Sequence, residues 1–261
     1  MSLQHRYGDV SIAFDGHVAV LEIDRPPHNH VSVELMRDLA DAFEALDAEP
    51  SCRALVLASA GKSFCAGADL TAPRGLASGE ISQINPLYVE AVRLFSNRKP
   101  IVAAVQGAAV GAGLGLALVA DFRVAAPEAR FTANFVKLGF HPGFGVTYTL
   151  PRLVGEQRAA LMALTGRRIK ADEALAWGLV DAVEPLERLR AAAVALAAEI
   201  AENAPLAVQS TRATLRGGLA AAVKAQTDKE FTEQEWLRRT ADFAEGVRAV
   251  AERRPGVFTG A

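Results

Sequence analysis

Two stretches of this chain repeat one plan, and the repetition limits the folds open to it. Residues 54–58 are an apolar β-type run. They lead through Gly61-Lys62-Ser63-Phe64-Cys65-Ala66 to Gly67-Ala68-Asp69-Leu70. Residues 101–105 are a second such run. They lead through Gln106-Gly107-Ala108-Ala109-Val110 to Gly111-Ala112-Gly113-Leu114. Each unit reads as a strand, a glycine-bearing turn, and Gly-Ala at an expected helix start. Glycine lets backbone come close to a ligand. A helix start offers unpaired N–H groups and the positive end of the helix dipole. Two such ends, brought together, supply a pair of main-chain donors for negative charge developing on one oxygen. The plainer reading makes both Gly-Ala pairs close-packing turns.

The chain has 261 residues, 51% of them hydrophobic, which is enough for a large core. A net charge of −2 comes without basic runs or a long acidic tail, so neither nucleic-acid binding nor disorder is expected. Cys52 and Cys65 form no CxxC or metal-ligand spacing. They fit a reduced, cytoplasmic setting. Residues 2–10 lack an apolar run, so no secretory signal is expected. Residues 101–120 contain one polar side chain, Gln106, and have the length of a membrane span. Four glycines, then Asp121-Phe122-Arg123, favour a buried strand, turn and helix instead. No membrane association is expected.

Asp15-Gly16 between residues 10–14 and 18–23 signals a hairpin. Ser32 can cap a helix whose apolar stripe is Leu35, Leu39, Phe43 and Leu46. Residues 71–80 read as a loop, 87–98 as helix, and 121–125 as strand. Residues 131–145 read as an irregular aromatic segment. From Thr147 helices dominate: 171–177, 187–202, 205–219, 221–239 and 243–252, with a last strand at 180–183.

At this point the chain resembles the crotonase family, also called the enoyl-CoA hydratase/isomerase family. The resemblance rests on Arg25-Pro26-Pro27 with Asn29, Gly61 through Leu70, Lys99-Pro100 through Gln106-Gly107, and Leu150-Pro151-Arg152-Leu153-Val154-Gly155. It continues in Leu164-Thr165-Gly166-Arg167, residues 174–180 and Glu252-Arg253-Arg254-Pro255 with Phe258. It implies an α/β fold, a crotonase-like spiral of ββα units over residues 1–195, then a helical C-terminal oligomerisation region over 196–261. It implies homotrimers or homohexamers and an acyl-CoA thioester substrate. Coenzyme A enters as part of that substrate, with no permanently bound cofactor. The family's two oxyanion donors fall on the N–H groups of Ala68 and Ala112. Gly67, Asp69, Leu70, Gly111 and Phe135 fall beside them. The adenine end of coenzyme A would lie against the backbone of Phe64 to Ala66. Lys62 and Arg25 are candidates for its phosphates, or else solvated surface charges. Pro27 stands where the family often has lysine.

The resemblance also exposes departures. The two hydratase glutamates fall on Gly115 and Phe135, and an aspartate used by dienoyl isomerases and dehalogenases falls on Gly143. Paired carboxylates suit hydration because one accepts a proton while the other donates one or positions water. His141 is the candidate replacement, since a neutral imidazole suits proton transfer near neutrality. Its alternative role is to pin the turn through 140–143. His28 and His30 lack metal geometry and are expected to be exposed. Asp121 is expected to satisfy backbone at a strand start.

Three function classes follow. The first is an acyl-CoA enzyme working through a stabilised enolate: hydratase, isomerase, or thioester hydrolase with an unusual base. The second is a non-catalytic acyl-CoA binder. The third is a dinucleotide oxidoreductase, prompted by Gly111-Ala112-Gly113-Leu114-Gly115. That run lacks the Gly-x-Gly-x-x-Gly spacing and a following acidic ribose partner.

Overall fold

The computed structural model describes residues 3–69 and 85–261. Leu70 and the loop expected at 71–80 lie outside the described residues. Strands β1 (Arg6–Tyr7), β2 (Val10–Asp15) and β3 (Val18–Ile23) pair antiparallel; the expected hairpin forms, but it turns at Gly16-His17, because Asp15 is the last strand residue and pairs with Val18. Ser32 caps α1 (Val33–Ala48), its hydroxyl accepting from the Leu35 N–H, and the expected apolar stripe is buried. Then come β4 (Ala54–Ser59), α2 (Pro86–Phe95), β5 (Ile101–Val105), β6 (Ala108–Val110) and α3 (Ala112–Ala117). The next elements are β7 (Phe122–Ala125), β8 (Arg130–Thr132), a 3-10 turn (Asn134–Leu138), α4 (Val146–Val154) and α5 (Glu156–Thr165). Next are β9 (Ile169–Lys170), α6 (Ala171–Ala176) and β10 (Ala182–Val183). Four helices close the chain: α7 (Leu186–Ala201), α8 (Pro205–Leu215), α9 (Leu219–Leu237) and α10 (Ala241–Ala251).

The strands form two layers. The larger sheet has the order β1-β2-β3-β4-β5-β7-β10, parallel from β3 onward. The smaller has the order β6-β8-β9. The chain places a strand in the first layer and the next in the second, as in β5 to β6 and β7 to β8. That alternation makes the spiral. Side-chain alternation with period two divides the core. Leu55, Leu57, Ile101, Ala103 and Val105 face the interlayer core. Ala54, Val56, Val102, Ala104 and Val124 face the opposite side, covered by α7. A stripe of Leu189, Ala193, Ala197 and Ala201 lets α7 lie close to that face.

Several expectations change. Residues 108–110 are not turn but strand β6, fixed by pairing with β8. Ala68 does not start a helix in the described residues but sits in a β-bridge with Val31. The segment 131–145 contains the end of β8 and the 3-10 turn. The boundary expected between 195 and 196 falls inside α7, which packs on the sheet along its length. The chain leaves the sheet only at α8. Among the described residues no single helix is long and apolar enough to cross a membrane; one bent pair, α7 with α8, passes that test on length and composition.

Candidate active site

The second layer sets the geometry. Cys65 bridges Ala109, its N–H donating to the Ala108 carbonyl at 2.9 Å and its carbonyl accepting from Val110 N–H at 3.0 Å. Ala68 and Ala112 each lie three residues beyond that paired level (68 − 65 and 112 − 109). Segment 65–68 therefore runs between Val31 on one side and residues 109–112 on the other. The Gly67 carbonyl accepts from Val31 N–H at 3.0 Å. Across a planar trans peptide the next N–H points the opposite way, so Ala68 N–H is turned away from Val31. The Gly111 carbonyl accepts from Gly115 N–H at 3.1 Å along α3, so Ala112 N–H projects back out of the first turn. A β-carbon built on Gly67 would stand 3.9 Å from the Ala112 nitrogen and 2.8 Å from the Val110 carbonyl oxygen. Gly67 has φ +89, a conformation that favours glycine. The approach of these two segments depends on that residue being glycine.

Two amides of the recognised motifs brace the turn before this site. Asn29, fully buried, donates from Nδ2 to the carbonyls of Ala60 and Ser63, each at 2.7 Å. Gln106 Nε2 donates to the carbonyls of Ser59 at 2.9 Å and Ser63 at 3.1 Å. Gly107 lies so close to Lys62 that a β-carbon there would meet its carbonyl oxygen at 1.9 Å. His30, expected to be exposed, is half-buried, and its Nδ1 lies 3.1 Å from the Gly67 carbonyl. A carbonyl only accepts, so Nδ1 donates. His30 thus supports the peptide that carries the Ala68 N–H, a role its place in a proline-rich loop did not signal.

The three positions without carboxylates are filled. A β-carbon on Gly115 would fall 2.6 Å from Phe144 Cδ1. On Gly143 it would fall 1.8 Å from the Tyr88 hydroxyl and 2.6 Å from Gln234 Nε2. Phe135 is buried, its ring 3.5 Å from the β-carbon position of Gly111. Aromatic and amide groups thus stand where acids would project. Phe144 has φ 64, which costs a non-glycine residue about 1–3 kcal/mol, so its surroundings must hold it.

Helix α9 does so. Glu230, fully buried, accepts from Gly145 N–H at 2.8 Å and Thr147 N–H at 3.1 Å, and from the Thr147 hydroxyl. It caps α4, whose N-terminal Gly145 has no side chain to do so. Gln234 Nε2 donates to the carbonyls of His141 at 3.0 Å and Pro142 at 3.3 Å, and its Oε1 accepts from Tyr88 at 2.9 Å. Burial pushes the Glu230 carboxyl up to about 7 against hydrogen bonds from Thr147 and Gly145 that oppose the rise. Burial also raises the Tyr88 hydroxyl, with Glu230 adding to the rise.

The other expected site residues are placed as follows. His141 is half-buried, and its Nδ1 donates to the Pro142 carbonyl at 2.7 Å. No hydrogen bond among the described residues joins it to Ala68 or Ala112. Arg25 is engaged locally, with Asp9 at 3.1 Å, Ser32 Oγ at 2.9 Å and the His30 carbonyl at 3.2 Å. Lys62 is exposed beside the turn. The Phe64 side chain is core, so only its backbone can meet a ligand, and Ala66 N–H is bonded to the His28 carbonyl at 2.9 Å. Asp69 is half-buried at the edge of the described segment. Cys52 and Cys65 are buried and free, and burial pushes their thiols up to about 11 and about 12. Among the described residues no three His, Cys, Asp or Glu cluster as metal ligands.

Comparison with known proteins adds to this geometry. The sequence profile described as enoyl-CoA hydratase/isomerase matches residues 13–261. A mevalonyl-coenzyme A hydratase from Beauveria bassiana is 38% identical, over 96% of this chain and 94% of that protein. A 1,2-epoxyphenylacetyl-CoA isomerase from Escherichia coli is 34% identical, over 93% of this chain and 95% of that protein. The crystal structure of an enoyl-CoA hydratase/isomerase from Pseudoalteromonas atlantica superposes with a TM-score of 0.86 at 31% identity, covering 96% of this chain and 100% of the other. With the two-layer spiral and matching motifs along its length, this chain belongs to the enoyl-CoA hydratase/isomerase, or crotonase, family.

Proposed function

We propose that this chain is an acyl-CoA enzyme that holds the thioester carbonyl oxygen between the N–H groups of Ala68 and Ala112 and works through the resulting enolate. The observation that carries the reading is the approach of Gly67 to the Ala112 nitrogen, with the Gly67 carbonyl turned to Val31. Charge on the thioester oxygen grows as a proton leaves the α-carbon, and fixed main-chain donors stabilise it without reorganising; one such donor typically contributes about 2.7–4 kcal/mol. Relatives named as a CoA hydratase and a CoA isomerase support the substrate class. The reaction so described uses no bound cofactor beyond the coenzyme A of the substrate.

Hydration through two carboxylates does not fit the residues at 115 and 135, and Gly143 lacks the aspartate of the dienoyl-isomerase and dehalogenase routes. Proton movement without added water, as in isomerisation, fits the aromatic lining better. His141 is the proposed base, using Nε2, because Nδ1 is committed to Pro142. Incubation with crotonyl-CoA and butyryl-CoA in D2O tests the reading: binding with exchange of the butyryl α-protons supports it. No binding at millimolar thioester would count against it. Full exchange in His141→Ala would remove His141.

A second reading, an acyl-CoA binder without turnover, is favoured by the filling of the Gly115 and Gly143 positions. Tight binding without exchange or turnover would select it. Leu164, Leu206, Leu215 and Trp236 leave large apolar area exposed on one chain, which supports assembly into trimers or hexamers. A reduced cytoplasmic setting is proposed from the two unpaired cysteines.

A further inference from the structure

Helix α9 buries a mostly polar stripe, Val223, Thr227, Glu230 and Gln234. Buried polar groups need partners, and the last two find theirs in one segment, residues 141–147. Glu230 accepts where that segment offers N–H groups. Gln234, about one turn on, donates where it offers carbonyls. We propose that Gln234, steadied by Tyr88, is a positioning residue for His141: it holds the Pro142 carbonyl that fixes the ring proton on Nδ1 and leaves Nε2 bare for proton transfer. The proposal rests on His141 being the base of the proposed reaction.

The hydrogen-bond inventory carries the assignment. A side-chain amide has two N–H donors and one carbonyl oxygen. In Gln234, which is fully buried, all three are spent. Its Nε2 meets the His141 carbonyl at 3.0 Å and the Pro142 carbonyl at 3.3 Å, and its Oε1 meets the Tyr88 hydroxyl at 2.9 Å. Carbonyls only accept, so the amide nitrogen must face residues 141 and 142, and Tyr88 must donate to Oε1. Burial keeps the phenol protonated for that bond. The Pro142 carbonyl has a second lone pair, and His141 Nδ1 lies 2.7 Å from it. That nitrogen carries the proton of the neutral ring, and no hydrogen bond among the described residues uses Nε2. Phe140, just before His141, packs against Phe243 with ring centroids 4.9 Å apart and lies under the Arg238 guanidinium. The chain is thus held on both sides of the imidazole. When Nε2 takes the α-proton, the C–H electron pair passes into the enolate, and the ring becomes an imidazolium that keeps its Nδ1 bond. Released from Pro142, the neutral ring can carry its proton on either nitrogen, and the Nε2–H form cannot accept at that atom.

Magic-angle-spinning 15N NMR of sedimented protein carrying 15N-histidine reads the tautomer at about pH 8.5, where an imidazole is neutral. The His141 signals are those lost in His141→Ala. Wild type is expected to show the proton on Nδ1. Gln234→Met, of similar length, is expected to shift the ring toward Nε2–H and to slow butyryl-CoA α-proton exchange about tenfold in kcat, with KM changed less than about twofold. Tyr88→Phe removes only the anchor of the amide. It is expected to move both readouts the same way by less, and it serves if Gln234→Met does not fold. A wild-type ring protonated on Nε2, or folded variants that keep the wild-type tautomer, would overturn the proposal. So would a raised KM with kcat unchanged, the mark of a loosened pocket. Full exchange in His141→Ala would overturn the base assignment beneath the proposal. Slowed exchange in His141→Ala with an unmoved tautomer in Gln234→Met would overturn the role of Gln234 alone.

Discussion

Replacing Glu230 by glutamine should remove a fall in stability that the wild-type protein suffers between pH 4.5 and about 7. Burial raises this carboxyl from 4.5 to about 7 in the folded chain. The folded value stands above the unfolded one, so folding prefers the neutral acid. That preference is fully present below pH 4.5 and is lost as pH rises through 7. The displacement, 7 − 4.5, corresponds to about 3 kcal/mol at about 1.36 kcal/mol per pKa unit. Glu34 and Glu90 have lowered values and act in the opposite direction, gaining stability as pH rises. They are present in both proteins and cancel in the difference. Glutamine disturbs the Gly145 and Thr147 hydrogen bonds by an amount that does not vary with pH. Urea unfolding of both proteins at intervals from pH 4.5 to about 8 measures the difference. Wild-type minus variant stability should drop by about 3 kcal/mol across that span and then level off. A difference that stays constant or rises would refute the assignment of Glu230 as a buried acid capping α4.

Other consequences follow from the same packing. Gly67→Ala places a β-carbon against the Val110 carbonyl at φ +89, so kcat should fall about 10²–10³-fold, as when an oxyanion donor is lost; near wild-type turnover would contradict the site. Gly115→Ala meets the Phe144 ring and should destabilise by about 1–3 kcal/mol in denaturant unfolding, with Phe144→Ala in the same chain removing most of that loss; additive costs would contradict the contact. Gly115→Glu should confer no hydration of crotonyl-CoA, followed by loss of the enoyl absorbance, because the ring occupies the glutamate's path. Asn29→Ala leaves the Ala60 carbonyl without its donor, worth about 1–3 kcal/mol, while Ser63 keeps Gln106, and should lower the thermal midpoint while weakening acyl-CoA binding.

The sequence carried the periodic features well. The apolar runs at 54–58 and 101–105, the Ser32 cap and the α1 stripe are local patterns, and the structure repeats them. The matched glycines at 67 and 111 also pointed to neighbouring backbone, because a side chain at Gly67 would collide with Val110. Strand β6 was not legible: Ala108-Ala109-Val110 has neither bulk nor alternation, and only pairing with β8 makes it a strand. The filling of Gly115 by Phe144, and of Gly143 by Tyr88 and Gln234, joins residues distant in sequence. So do the Glu230 cap and the sharing of Asp121 by Arg212 and Arg216. In the sequence Glu230, Arg212 and Arg216 resemble solvated helix surface, and only tertiary packing distinguishes them, whereas Asp121 was expected to satisfy backbone at a strand start and does so by accepting from the Ile101 N–H.

The central claim, that two main-chain N–H groups grip one thioester oxygen, is tested most directly by isotope-edited infrared spectroscopy of a 13C-carbonyl acyl-CoA bound to the protein. The account predicts a carbonyl stretch displaced to lower frequency on binding, with the displacement lost in Gly67→Ala. A saturated complex whose carbonyl stretch matches that of the free thioester in water would contradict it.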